Sequence, residues 1–185
     1  GEIQMTTNSS SDEPWIQTYV GKKFFWRSPR VEDIDIVDIA HALSMLCRFN
    51  GHCKQFYSVA EHCVHVSHVT PPGIEFAGLL HDASEAYFSD LPSPIKRKLP
   101  DVQAIEDKLH QVICKKFGLA EPDLDDVKGA DARMLFTEKA VLMEPIGTPW
   151  PGEAEYKPFP NVTLECWAPD VAKRKFLERF EELTA

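Results

Sequence analysis

The chain has 185 residues and is 43 % hydrophobic, enough for one domain with a sizeable core. Its formal charge of −9 repels phosphate polymers, which argues against a nucleic-acid partner and leaves room for a small phosphorylated ligand held by a few gathered cations. No apolar run reaches the ~18–20 residues of a membrane span, no signal-peptide pattern opens the chain, and the five cysteines include no C-x-x-C pair. A cytoplasmic protein with reduced, mostly structural thiols and no membrane contact is expected.

Residues 1–14 are polar and rich in Ser and Thr and read as a disordered tail; Gly1-Glu2-Ile3-Gln4 ahead of Met5 reads as a vector-derived leader. Residues 15–185 form a single domain in this reading. Trp15–Val20 and Lys23–Trp26 flank Gly21-Lys22 and predict a short hairpin lying on the core as a lid. From Asp35 to Cys47, Ile36, Ile39, Ala40, Leu43 and Leu46 recur at helical spacing, with Asp35 as the cap. Asn50-Gly51 signals a turn, and Ser58-Val59-Ala60-Glu61 reads as a capping box. The helix it opens carries His62, His65 and His68 and stops at Pro71-Pro72-Gly73.

A third helix is predicted from about Ile74 to Tyr87, followed by a turn at Ser89–Pro94 and a short basic helix, Ile95–Lys98. Asp101–Phe117 is amphipathic and closes at Gly118. A further helix spans about Leu124–Met143, residues 147–169 wrap the surface, and a last helix uses Ala172, Phe176, Phe180 and Leu183. Helices dominate, so the fold class is all-α, a compact helical bundle with at most a small N-terminal β-hairpin.

Four polar side chains fall where this periodicity expects core: His62, His81, Asp82 and Asp131, from three separate helices. Asp82 follows His81 and projects about 100° round the axis, while Glu85, four residues after His81, shares its face. A carboxylate in an apolar stripe, such as Asp131, costs several kcal/mol unless it is compensated. Two imidazoles and two carboxylates suit a divalent transition ion with positions left open for water or substrate.

The order H…HD…D resembles the signature of the HD-superfamily metal-dependent phosphohydrolases. Ser-Val-Ala-Glu-His at 58–62, His-Asp-Ala-Ser-Glu at 81–85, Asp-Leu-Pro-Ser-Pro at 90–94 and Lys-Gly-Ala-Asp-Ala at 128–132 are similar to the small 5′-deoxynucleotidases. With Cys-Arg-Phe-Asn-Gly-His at 47–52, they also resemble small phage and bacterial relatives that include dATP triphosphohydrolases. The resemblance covers roughly residues 19–143. It implies an HD-type domain whose His62, His81, Asp82 and Asp131 hold one divalent metal ion (Mn, Co, Zn, Fe or Mg). It further implies that Asp82 and Glu85 are catalytic, Glu85 as general base or acid, that Arg48 contacts phosphate, and that Asp90 bonds the sugar hydroxyl. The residue after the arginine is tryptophan in the 5′-deoxynucleotidases; Phe49 keeps an aromatic wall here without the indole N–H.

Beyond the shared pattern, Lys96, in a basic cluster close after Asp90, is the choice for a second phosphate contact, with Lys128 a weaker one. His52, beside the same pocket, is a further substrate candidate; His41, His65, His68 and His110 read as structural or surface histidines. The expected activity is hydrolysis of a nucleotide 5′-phosphoester, giving a deoxynucleoside plus phosphate or, from a triphosphate, plus triphosphate. The alternatives are an HD phosphodiesterase or guanosine-tetraphosphate-type hydrolase, and a non-catalytic metal-containing interaction domain. The last helix and the Trp150–Phe159 segment are candidate contacts for a homo-oligomer.

Overall fold

The computed structural model describes residues 13–185, and of residues 121–124 the backbone alone. The tail expected over 1–14 therefore lies, up to position 12, outside the described residues. Glu13 accepts a hydrogen bond from Ser28 Oγ at 2.6 Å.

Helices carry the fold. Among the described residues the one sheet is the antiparallel pair β1 (Ile16–Gln17) and β2 (Lys23–Phe24), with Ile16 opposite Phe24 and Gln17 opposite Lys23. The chain is thus all-α with a small N-terminal hairpin, as the periodicity predicts. Phe24 is fully buried and stacks on Tyr87 with ring centroids 4.3 Å apart, which seats the hairpin on the core.

Helix α1 (Ile36–Met45) starts at Asp35, whose carboxylate accepts from Val37 N, and buries Ile39, Ala40 and Leu43. It ends two residues earlier than the pattern suggests, because Cys47 leaves the helix to pair with Ser58. Helix α2 (Val59–Val69) is the centre of the molecule. It packs on α1, on α3 (Glu75–Leu80), on α7 (Glu121–Leu142) and on α8 (Pro169–Thr184). Most of its residues are buried, including Glu61 and His62. Between α3 and α7 lie α4 (Glu85–Phe88), α5 (Ser93–Lys96) and α6 (Pro100–Phe117), the last closed by left-handed Gly118. One apolar cluster gathers Ile39, Leu43, Leu79, Leu80, Ile113 and Phe176; a second gathers Val66, Ala77, Val127 and Met134. No helix among the described residues is long and apolar enough to cross a membrane.

Three sequence expectations are corrected. The helix predicted from Ile74 to Tyr87 is two helices, α3 and α4, separated by tight turns at His81–Ser84. The bonds there run three residues back: Ala83 N to Leu80 O, Glu85 N to Asp82 O, Tyr87 N to Ser84 O. The His81 imidazole donates from Nδ1 to the Gly78 carbonyl at 2.8 Å, offering that carbonyl a side-chain partner in place of the regular ladder. Secondly, the capping box is half formed. Ser58 Oγ accepts from Glu61 N, but the Glu61 carboxylate turns away to accept from the backbone N–H groups of Glu165, Cys166 and Trp167 at 3.0, 2.9 and 2.6 Å. Three charge-assisted bonds outweigh the single one at Ser58. Thirdly, the basic helix expected at Ile95–Lys98 is shifted to Ser93–Lys96, because Pro94 favours the first turn of a helix.

Gly78 sets the distance between α2 and α3. A Cβ there would stand 2.9 Å from Thr70 Cγ2 and 3.1 Å from Ser67 Cα, so the backbones touch at this point. The approach brings His81, three residues on, against α2.

Candidate metal centre

His62 enters from α2, fully buried, with its Nδ1 2.6 Å from Glu138 Oε1 on α7. His81 enters from the turn after α3, held through Nδ1 by Gly78 O. A carboxylate and a carbonyl can only accept, so both Nδ1 atoms carry a proton, and each Nε2 presents a lone pair when its imidazole is neutral. These two Nε2 atoms face each other at 3.2 Å. Two opposed lone pairs at that distance repel unless a positive charge lies between or beside them.

The carboxylates close the set. Asp131 Oδ1, from α7, is 3.1 Å from His62 Nε2 and 3.8 Å from His81 Nε2. Asp82 Oδ2 is 3.3 Å from His81 Nε2 and 3.6 Å from His62 Nε2. Ligands about 2.0–2.2 Å from one ion, at tetrahedral or octahedral angles, stand about 2.8–3.6 Å from each other; four of these five separations fall on that scale, and the 3.8 Å from Asp131 Oδ1 to His81 Nε2 lies just beyond it. The donor atoms of His62, His81 and Asp131 lie within 4.8 Å of one another, as do those of Cys63, His81 and Asp82. The side chains of this cluster can hold a metal ion. Asp131, 41 % exposed, marks the open side, whereas His62 at 0 % is the floor.

The electrostatics select for a cation. Burial opposes the charge on Asp82, yet His81 and then His62 hold its carboxyl well below the usual range. Burial likewise opposes Asp131, and hydrogen bonds to His62 and His81 carry it well below. Burial opposes a charged His81 too, but Asp82 and Asp131 raise it well above an ordinary histidine; His62, opposed by burial and Arg48, is raised by Glu138 and Asp131. The imidazoles take up protons to supply the positive charge that the acids demand, and a divalent ion would supply it instead.

Around this cluster stand the other residues singled out by sequence. Arg48 is buried, its Nε and Nη2 on Glu138 Oε2 at 3.1 and 2.9 Å and its Nη1 3.8 Å from Asp82 Oδ2. Half of its fork is thus committed to Glu138. Phe49 sits in a left-handed conformation (φ 56°) with the Arg48 guanidinium 5.5 Å from its ring centre, and the Trp150 ring meets it edge-on at 6.1 Å. Glu85 is buried; its Oε1 is 3.6 Å from Lys96 Nζ, and its Oε2 finds no hydrogen-bond partner among the described residues. Burial, then Asp82 and Asp90, push the Glu85 carboxyl up to about 10. Asp90 faces the same group: burial raises its carboxyl, Arg48 lowers it and Asp82 raises it.

Two expected phosphate cations are already paired. Lys96 bonds Glu106 at 2.8 Å as well as facing Glu85, and Lys128 is exposed on Asp125 at 2.5 Å. His52 is exposed at the end of the Arg48 loop, and its imidazole makes no bond to the cluster among the described residues.

Sequence reasoning missed Glu138, Trp150, Cys63 and Glu106. Glu138 carried a readable signal: it stands seven residues after Asp131, two turns along the same face of α7, among Leu135, Phe136 and Ala140. The reasoning that picks out Asp131 picks out Glu138 as well.

Fold and site together define an all-helical protein built round a buried His/Asp cluster able to hold a metal ion. No family model matches the chain. It is 42 % identical over 173 residues to the uncharacterized protein YfdR of Escherichia coli strain K12, covering 92 % of this chain and 96 % of that protein. It is 34 % identical over 115 residues to the uncharacterized protein RCAP_rcc00048 of Rhodobacter capsulatus, covering 57 % of this chain and 59 % of that one. The chain belongs to the family of YfdR.

Proposed function

We propose that this protein is a metal-dependent phosphohydrolase of the HD superfamily, cleaving the 5′-phosphoester of a deoxynucleotide. The observation that carries the reading is the convergence of His62 Nε2, His81 Nε2, Asp82 Oδ2 and Asp131 Oδ1, with separations of 3.1–3.8 Å, beside a buried arginine and a buried carboxyl. The mixed nitrogen and oxygen donors suit Mn, Co, Zn, Fe or Mg. Such an ion, when bound, polarises a phosphoryl oxygen and lowers the pKa of water.

The chain's own groups do the rest. Arg48 Nη1, the arm of the fork not on Glu138, turns toward Asp82 and is the donor for a phosphate oxygen. Glu85 Oε2, buried and unpartnered among the described residues, is the atom that holds and moves a proton. Phe49 and Trp150 wall the sugar and base, and Asp90 accepts from the sugar hydroxyl. Of the cations near the site, Lys96 and Lys128 are paired with acids and Arg97 bonds the Ser93 carbonyl of its own helix. This favours a monophosphate over a triphosphate, with deoxynucleoside and phosphate as products. The reading sets the enzyme in the cytoplasm, beside the nucleotide pool.

The test is product identification with purified protein, Mn²⁺ or Co²⁺, and a panel of nucleotides. Deoxynucleoside monophosphates are expected to release phosphate, chelator to stop it, and Glu85→Ala to lower turnover at least about 10²-fold. Unchanged turnover in Glu85→Ala would remove the role given to that carboxyl. Hydrolysis confined to cyclic nucleotides or guanosine tetraphosphate would replace the substrate class. Tight metal binding with no turnover of any nucleotide would make the protein a metal-containing interaction domain.

A further inference from the structure

The loop that carries Arg48 and Phe49 begins and ends with a cysteine. Cys47 Sγ and Cys53 Sγ are 3.4 Å apart, and Cys53 Sγ also reaches the Arg48 carbonyl at 3.7 Å. Both residues are half-buried and neither is in a disulfide. The base of the loop is fixed: Cys47 pairs with Ser58, and Arg48 N donates to Tyr57 O at 2.9 Å. The loop itself is bent through left-handed conformations at Phe49, Asn50 and Gly51, with φ of 56°, 53° and 76°. Glycine and asparagine adopt such values readily, whereas for Phe49 they carry a cost that the held ends of the loop sustain.

We propose that Cys47 and Cys53 are a reversible dithiol–disulfide couple whose oxidised form locks the Arg48–Phe49 loop. A disulfide needs the sulfurs at about 2.0 Å, a closure of about 1.4 Å from where they stand, within the reach of side-chain rotation in a short loop. The oxidant is a low-molecular-weight disulfide. The Cys47 thiolate attacks one of its sulfurs; that S–S bond breaks, and the first small thiolate leaves and takes up a proton. The Cys53 thiol then gives up its proton and attacks the Cys47 sulfur, expelling the second small thiol. Two protein thiols and one small disulfide become one protein disulfide and two small thiols. The Cys53 thiol donates to the Arg48 carbonyl at 3.7 Å, which keeps its proton in place, and burial raises it further, so the first attack falls to Cys47 and the resolving step to Cys53. Cys63, by contrast, is fully buried and beyond the reach of such an oxidant.

The experiment reads sulfur and backbone rather than turnover, so it stands apart from the phosphohydrolase reading. The reduced protein is incubated with oxidised glutathione, its remaining thiols are alkylated in denaturant so that the buried ones react too, and the product is weighed and digested with trypsin. Trypsin cuts after Arg48, between the two cysteines. The expected product is lighter than reduced protein by about 2 Da before alkylation. It has three alkylatable cysteines in place of five, and the peptides Val31–Arg48 and Phe49–Lys54 travel as one species that dithiothreitol separates. Amide exchange across residues 49–53 is expected to slow about tenfold in the oxidised form. Cys53→Ser, and Cys53→Ala beside it, are expected to stop at a glutathione adduct on Cys47. Five alkylatable cysteines after treatment, a lasting adduct on Cys47 of the unaltered protein, a bridge between other cysteines, or exchange unchanged by the bridge would each overturn the proposal.

Discussion

Glu138 shows how a single side chain decides what its neighbours can do. It is fully buried, with one oxygen on His62 Nδ1 and the other on Arg48, so it orients a candidate ligand and fixes half of a candidate phosphate fork at once. Burial opposes its ionisation, and Arg48 and His62 hold it below the ordinary carboxylate range. Glu85 is the opposite case, a buried carboxyl whose surroundings keep it protonated. In protein stripped of metal its pKa is about 10, against an ordinary 4.5. Between those values the unfolded chain has released the proton and the folded chain has kept it, so folding binds a proton and stability falls as pH rises. The slope approaches about 1.4 kcal/mol per pH unit for one proton. Glu85→Gln, which cannot ionise, is therefore expected to gain on the parent protein from pH 5 upward, and urea denaturation at a series of pH values reads the difference. A parallel pair of curves would show that Glu85 ionises normally. At this scale the sequence was informative where a polar residue interrupts an apolar stripe, as at His62 and Asp131. It was silent on Trp150, because no periodicity connects an irregular segment to the ring it meets at Phe49.

Among the elements, α2 and α3 matter most, since the first supplies His62 and the second delivers His81 and Asp82. Their contact rests on Gly78, where a Cβ would meet Thr70 and the Ser67 backbone at 2.9–3.1 Å. Gly78→Ala is expected to push α3 off α2, costing about 1–3 kcal/mol in denaturation and weakening divalent-metal binding through displacement of His81. Loss of metal affinity without loss of stability, or neither, would mean that the helices can part there at no cost. Glu61 acts on the same helix from its other end, tying the backbone at 165–167 to α2 one residue before His62. Helix positions were legible because apolar residues recur at helical spacing from Ile36 through Phe180. The break at His81–Ser84 was not, because Leu79, Leu80, Ala83, Ala86 and Tyr87 keep that spacing across it. The cause is tertiary: an imidazole on the Gly78 carbonyl, and two adjacent side chains drawn to one cluster.

Over the whole molecule, α2, the α3–α4 turn and α7 are distant in sequence and meet at the cluster with its open side at Asp131. A site assembled from three segments exists only in the folded chain, so an ion that binds there stabilises the fold, and more so as its free concentration rises above its Kd. It also explains why the four donors, and Glu138 with them, are legible as polar breaks in apolar stripes, while the pairing within the second layer is not. Each donor breaks a local pattern by itself, whereas the Glu138–Arg48 pair joins residues 90 positions apart. The most direct measurement is anomalous diffraction at the manganese or cobalt edge from crystals grown with that ion. One strong peak is expected about 2.0–2.3 Å from His62 Nε2, His81 Nε2, Asp82 and Asp131. No peak there, or a peak bound by other residues while the imidazoles keep their 3.2 Å contact, would contradict the account.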